Sequence, residues 1–270
     1  MPSPRKPTLR SVAMPAEHGG WGLTLEPGIL GVLVAPSVAG LLLGVAALLA
    51  FLVRTPLRLV LIGRHRAGDR SRSVVSLERM RLATRIAGLE LAGIGGAVVA
   101  TALLASDPMW WLPMAVAVPL FAVALWFDMR SLSRHLVPEI VGSVAIAGVA
   151  AMGALAGGAT WPLAIGAWVI LGARILSSIP HVRAQVLRLH RQEVPAALTL
   201  VGDLTALGTA IVAVLLEPTL ILGALAVVGL IVIQRITLAR PPRPARILGV
   251  RQMILGFTVV GATAAGVWLL

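Results

Sequence analysis

The segment Glu17-His18-Gly19-Gly20-Trp21-Gly22-Leu23-Thr24-Leu25-Glu26-Pro27 stands at the mouth of the first hydrophobic run of the chain. It sets two carboxylates, an imidazole and three glycines beside residues that suit lipid. Ionisable side chains at membrane depth are costly, and they usually face a bundle interior or a watery cavity. The segment therefore calls for a scaffold that buries it, and the rest of the sequence supplies one.

Of 270 residues, 58% are hydrophobic and only 13% are charged, and mean hydropathy is +0.93. A soluble domain carries about 25% charged residues, so the composition describes a polytopic membrane protein. At about 20 apolar residues per crossing there is room for about nine helices and no separate soluble domain. The chain has no cysteine and no tyrosine. Disulfides, thiolate metal sites, a cysteine nucleophile and a phenolic acid are excluded. Residues 1–16 form a basic, proline-rich lead that is expected to be disordered, and 17–270 form one transmembrane domain. Glu26 interrupts the first apolar run and no clear cleavage site accompanies it, so this run reads as a retained helix and not a cleaved signal.

Apolar runs and Pro/Gly breaks predict an all-α protein with helices over 17–36, 38–62, 81–105, 109–127, 137–156, 161–179, 195–215, 219–238 and 250–270. Pro180 is read as the end of the sixth helix, with a basic loop over 181–194. If these nine segments cross alternately, all 23 Lys and Arg residues fall on one side or in the helix ends beside it. The other side holds Asp107 and Glu217. The positive-inside rule then places the N-terminus in the cytoplasm and the C-terminus outside. The alanine-, valine-, leucine-, glycine- and arginine-rich composition suits a high-GC bacterium, hence an inner (cell) membrane. The net charge of +12 is accounted for by topology and by attraction to anionic headgroups. Nucleic acid is not an expected partner, because no basic groove with interleaved aromatics is present. Trp110, Trp111, Trp161, Trp168 and Trp268 lie near outer helix ends and read as interfacial anchors. The many glycines read as helix-packing positions.

Depth singles out a second group of residues. At 1.5 Å per residue, Glu26 and Glu90 lie roughly 13 Å into their helices and Asp203 roughly 12 Å into its own. Arg54, Arg58 and Arg174 return at or just below the same level. Two readings are open. Acids and arginines inside a bundle neutralise each other and fix the helices. Alternatively they line a cytoplasm-facing polar cavity in which arginines bind a phosphate or carboxylate. His18, beside Glu17, and His181, two residues before Arg183, are candidate proton carriers. No metal-binding motif is present, though Glu26, Glu90 and Asp203 leave a metal site open. No cofactor can be named.

The Glu17–Gly22 run followed by Glu26-Pro27, together with Arg54-Thr55-Pro56 and Pro180-His181-Val182-Arg183, resembles the YwiC-like family of bacterial membrane proteins. That resemblance carries no function with it. The architecture also resembles the UbiA-type intramembrane prenyltransferases, which have nine helices, an internal N-terminus and a cytoplasm-facing cavity. Their Mg²⁺ is held by Asp-rich motifs in two loops. The corresponding segments here carry arginines, with only Asp69, Glu78 and Glu193 nearby, so diphosphate–Mg²⁺ chemistry does not carry over to them and a direct arginine clamp on a phosphate stays open. The expected ligand, beyond membrane lipid itself, is an isoprenoid or phosphorylated lipid. Arg54, Arg58, Arg174 and Arg183 would hold its head, with His181, Glu90 and Asp203 beside them. Glu17, His18 and Glu26 would supply acid/base groups, and any enzymatic role would be that of a transferase. The alternatives are a proton-coupled transporter of a small anion or metabolite, using Glu26, Glu90 and Asp203, and a non-catalytic membrane subunit.

Overall fold

The computed structural model describes residues 12–14, 20–65, 74–130 and 135–270. Among the described residues it is helical, without strands. The helices are α1 (Gly20–Val34), α2 (Val38–His65), α3 (Val74–Leu104), α4 (Leu112–Met129), α5 (Leu136–Ala156), α6 (Trp161–Leu189), α7 (Ala196–Leu216), α8 (Ile221–Leu238) and α9 (Ala245–Leu269), with a 3₁₀ turn at Pro218–Leu220. Helices dominate because lipid offers no hydrogen bonds, so each apolar run must satisfy its own backbone. Seven of the helices are long and apolar enough to cross a membrane. The other two fall short: α1 has 15 residues, and the apolar stretch of α4 covers Leu112–Ala124.

Paired contacts show that four pairs of consecutive helices run in opposite directions. Gly28 meets Gly44 while Gly40 meets Val32, which makes α1 and α2 antiparallel. Thr101 bonds the Ala39 carbonyl while Gly93 meets Leu49, which does the same for α2 and α3. Gly166 lies by Ala213 and Ser177 by Asp203 across α6 and α7. Gly223 lies by Thr263 and Gln234 by Gln252 across α8 and α9. The first and last helices are parallel neighbours: Gly22 faces Met253, and Trp268 Nε1 donates to the Leu33 carbonyl at 2.8 Å. The arginine-bearing α6–α7 and α8–α9 connections share one end of the bundle, here termed the basic end.

Helix α1 packs against α2, α5, α6 and α9, and α6 packs against α1, α5, α7, α8 and α9. Leu30, Leu155, Trp168 and Leu171 fill the core between α1, α5 and α6. Ile170, Leu220, Leu230 and Val259 fill the one between α6, α8 and α9. Small residues allow close approach: at Gly31 and Gly153 the backbones of α1 and α5 nearly touch. The pair Gly157-Gly158 ends α5 as its composition suggests. Gly158 takes φ +89°, and the Ala159 and Gly158 N–H groups cap the carbonyls of Ala154 and Leu155. By contrast α3 packs mainly on α2, and α4 on α5, so both sit at the periphery.

Three expectations change. Pro180 does not end α6, which runs on to Leu189. A proline inside a helix removes one N–H and frees the carbonyl four residues earlier, here that of Leu176. Glycine 202 of α7 accommodates it, since a Cβ there would lie 2.8 Å from that carbonyl oxygen and 2.9 Å from Pro180 Cγ. Helices α3 and α9 begin earlier than apolarity alone suggests, at Val74 and Ala245, because charged first turns can extend beyond lipid. Trp168 is not an interfacial anchor: it is buried on Gly148 and donates to the Val144 carbonyl at 2.7 Å. Val12 is buried against Val60 and Ala83.

Candidate functional site

Extending α6 through Pro180 aligns Arg174, Ser178, His181, Gln185 and Arg188. Their spacings of four, three, four and three residues place them on one helix face. The stripe is about 21 Å long at 1.5 Å per residue, and it runs from the middle of α6 to the basic end. Arg174, Ser178, His181 and Gln185 are each no more than 3% exposed. They are thus packed against neighbouring helices and do not line open space.

At the inner end of the stripe, Arg174 Nη2 donates to Glu26 Oε1 of α1 at 2.8 Å and to the Gln252 carbonyl of α9 at 3.0 Å. Two glycines make room for the pair: a Cβ on Gly22 would lie 3.1 Å from Glu26 Oε1, and one on Gly256 would come within 2.7 Å of Arg174 Nη2. The next turn holds a chain of side chains. Gln234 Nε2 of α8 lies 3.3 Å from Gln252 Oε1 and 3.1 Å from Ser178 Oγ. Gln234 Oε1 lies 2.8 Å from Ser177 Oγ, which is 2.7 Å from Asp203 Oδ1. Asp203 Oδ2 then accepts from Arg235 Nε at 2.6 Å. One polar network thus joins α1, α6, α7, α8 and α9.

At the basic end, α6 supports the last turn of α8. Gln185 Nε2 donates to the Thr237 carbonyl at 3.1 Å, and Arg188 Nη1 to that of Leu238. Cationic and amide donors here satisfy carbonyls that a helix end leaves without partners. Between the two zones, His181 Nε2 accepts from Arg251 Nη2 of α9 at 3.2 Å.

The structure joins some of the sequence-derived candidates and separates others. Glu26 and Arg174 meet directly, and Asp203 joins them through Ser177, Gln234 and Gln252. His181 belongs to the same stripe. Arg54 and Arg58 are exposed on α2, whose inward positions are taken by Phe51, Val53, Pro56 and Val60. Glu90 is half-buried on the peripheral α3, with Oε2 lacking a partner. Equal depth did not mean a shared face, so these three residues do not converge on Arg174. Arg183 points away from the stripe and pairs with Glu139 of α5 at 3.5 Å. Glu17 and His18 lie outside the described residues. Among the described residues no three His, Asp or Glu side chains cluster to hold a metal, and Glu26, Glu90 and Asp203 stand apart.

The model of the family described as YwiC-like protein matches residues 14–154, just over half of the chain. The chain belongs to the YwiC-like family. No curated protein and no solved structure matches it. The matched residues cover α1 to α5 and include Glu26; the α6 stripe lies beyond them. The resemblance seen in the Glu17–Pro27 run therefore falls inside the matched segment, whereas Pro180–Arg183 falls outside it.

Sequence reading missed Gln185, Arg188, Gln234, Arg235, Arg251 and Gln252. A signal for the amides was present: the chain has four glutamines, and three of them lie at these positions within helices. Treating 161–189 as one helix would have exposed the stripe.

Proposed function

We propose that this YwiC-like protein crosses a bacterial cytoplasmic membrane nine times, N-terminus inside, and binds a lipophilic anion, such as an isoprenoid phosphate or another phosphorylated lipid, in the cytoplasmic half of its bundle. Alternating helix directions and the gathering of arginines at one end support the topology. The observation that carries the binding reading is the α6 stripe. It leads from the basic end to mid-bundle, and Arg188, Arg235 and Arg251 gather at its outer part with Asp203 the acid paired there. The arginines that would meet the anion thus come from α6, α8 and α9 and not from α2. Apolar side chains exposed beside them, Ile236 on α8 and Ile247 and Val250 on α9, suit a hydrocarbon tail. Native mass spectrometry of the gently purified protein tests this. A retained anionic lipid or isoprenoid is expected, and a protein that keeps only zwitterionic lipid would count against the reading.

A second reading, proton-coupled transport, rests on proton counting at Ser177. Its single hydroxyl proton faces both Asp203 Oδ1 and Gln234 Oε1. With Asp203 ionised, Ser177 donates to it, and Gln234 must turn its amide to present NH₂ to Ser177. With Asp203 protonated, Asp203 donates to Ser177, Ser177 to Gln234, and Gln234 onward to Ser178 and Gln252. The chain thus has two senses, each matched to one protonation state of Asp203. Under this reading the protein confers a pH-dependent phenotype that Asp203→Asn removes, and a phenotype that does not depend on pH would end it.

A further inference from the structure

Among the described residues, balancing charge along the network leaves one cation unmatched. Arg174 has Glu26, Arg235 has Asp203 and Arg183 has Glu139. Arg188 rests on the carbonyl end of α8. Arg251 has none of these: its recorded partner is the His181 ring, which accepts from it through Nε2. An imidazole that accepts from a guanidinium carries its proton on Nδ1 and is neutral. It satisfies a hydrogen bond without cancelling a charge. Arg251 Nε is buried with no partner, and so is Gln185 Oε1, one turn below His181. The neighbouring charges, Arg188 on α6 and Arg235 on α8, are positive, and Asp203 on α7 is already engaged by Arg235.

A guanidinium in this setting strongly favours an oxyanion, because its fork of donors matches two oxygens at once. We infer that Arg251 and His181 form the seat of a phosphate-type anion at the cytoplasmic end of α6, α8 and α9. This rests on the lipophilic-anion reading and gives it a location. Phosphate is favoured over carboxylate because arginines of three helices, Arg188, Arg235 and Arg251, lie at this end, and a phosphate head offers three oxygens to a carboxylate's two. The Arg251 guanidinium takes the head, the neutral His181 holds the guanidinium in place, and Arg235 supplies further positive field. The same chemistry would be met by a lipid headgroup or by a free phosphate.

The test uses the full chain in nanodiscs of phosphatidylcholine, with thermal unfolding followed by tryptophan fluorescence. In one arm phosphatidic acid is included in the bilayer, and in the other inorganic phosphate is added to the buffer. Stabilisation in the first arm alone assigns the seat to a lipid head, and stabilisation in the second assigns it to a free phosphate. In either case Arg251→Gln should weaken the apparent affinity about tenfold or more, the scale of one lost charge-assisted contact. Arg246→Gln, an exposed arginine of the same end, should leave the affinity unchanged. Equal weakening by both substitutions would overturn the seat in favour of diffuse attraction. If Arg251→Gln does not fold, hydrogen exchange on the wild type replaces it. The anion should slow exchange in α9 around Arg251 and in α6 around His181, and unchanged exchange in both would overturn the proposal. An anion retained in native mass spectrometry but insensitive to Arg251→Gln removes this seat and leaves the broader reading standing. No anion held from either source removes both.

Discussion

Gly256 of α9 stands directly against the carboxylate of Glu26 in α1, and a Cβ at position 256 would overlap that carboxylate and lie 2.7 Å from Arg174 Nη2. The central ion pair therefore exists because the last helix carries no side chain where it passes. Gly256→Ala should push Glu26 and Arg174 apart and destabilise the fold by about 3 kcal/mol, the scale for breaking a buried pair. Gly261→Ala, five residues on and facing open space, should be near neutral. Thermal unfolding of the two variants in one detergent makes the comparison.

The same pair lends itself to a double-mutant cycle. Glu26→Leu alone leaves a buried guanidinium without its anion, and Arg174→Met alone leaves a buried carboxylate without its cation. Each should cost about 3–5 kcal/mol. The double variant should recover most of that loss, because two apolar side chains need no partner. Additive losses would show that the pair does not act as a unit.

Packing at Pro180 makes a third prediction. Gly202 receives the Leu176 carbonyl that Pro180 releases, and a Cβ would sit 2.8 Å from that oxygen. Gly202→Ala should cost about 1–3 kcal/mol through overpacking, whereas Gly208→Ala on the open side of α7 should cost almost nothing. Unfolding midpoints of both variants report the difference.

Topology can be tested without background labelling, because the chain has no cysteine. Ser106→Cys and Gln192→Cys place single thiols at exposed positions on opposite ends of the bundle. With the N-terminus inside, a membrane-impermeant maleimide should label Ser106→Cys in intact spheroplasts and Gln192→Cys only in inverted vesicles. Labelling of both from the same side would refute the alternating crossings.

The helices were largely legible because lipid imposes a strong, simple demand on composition. The ends of α5 and α7 could be read from Gly157-Gly158 and from Glu217-Pro218. Pro180 misled because its usual effect was cancelled by a glycine 22 residues later in the sequence, something no local window contains. The Glu26–Arg174 pair was half-visible: depth indicated both residues, but depth along a helix says nothing about the face. For that reason matching depth groups Arg54 and Arg58 with a network that they do not join. Trp168 shows the opposite failure, since an indole in an apolar helix fits an interface or an interior equally well until its N–H acceptor, the Val144 carbonyl, is known.

The contact between Glu26 and Arg174 spans 148 positions in sequence, and this separation bears on how the protein is made. At about 5–20 residues per second, Glu26 leaves the ribosome roughly 7–30 s before its arginine does. Arg174 in turn waits for Gln252, a further 78 positions on. Glu26 is therefore made long before its partner, and the network around it can close only when the last helix arrives. During synthesis the vulnerable part of this protein is its beginning, and a chain truncated before α9 would leave both members of its central pair without the helix that encloses them.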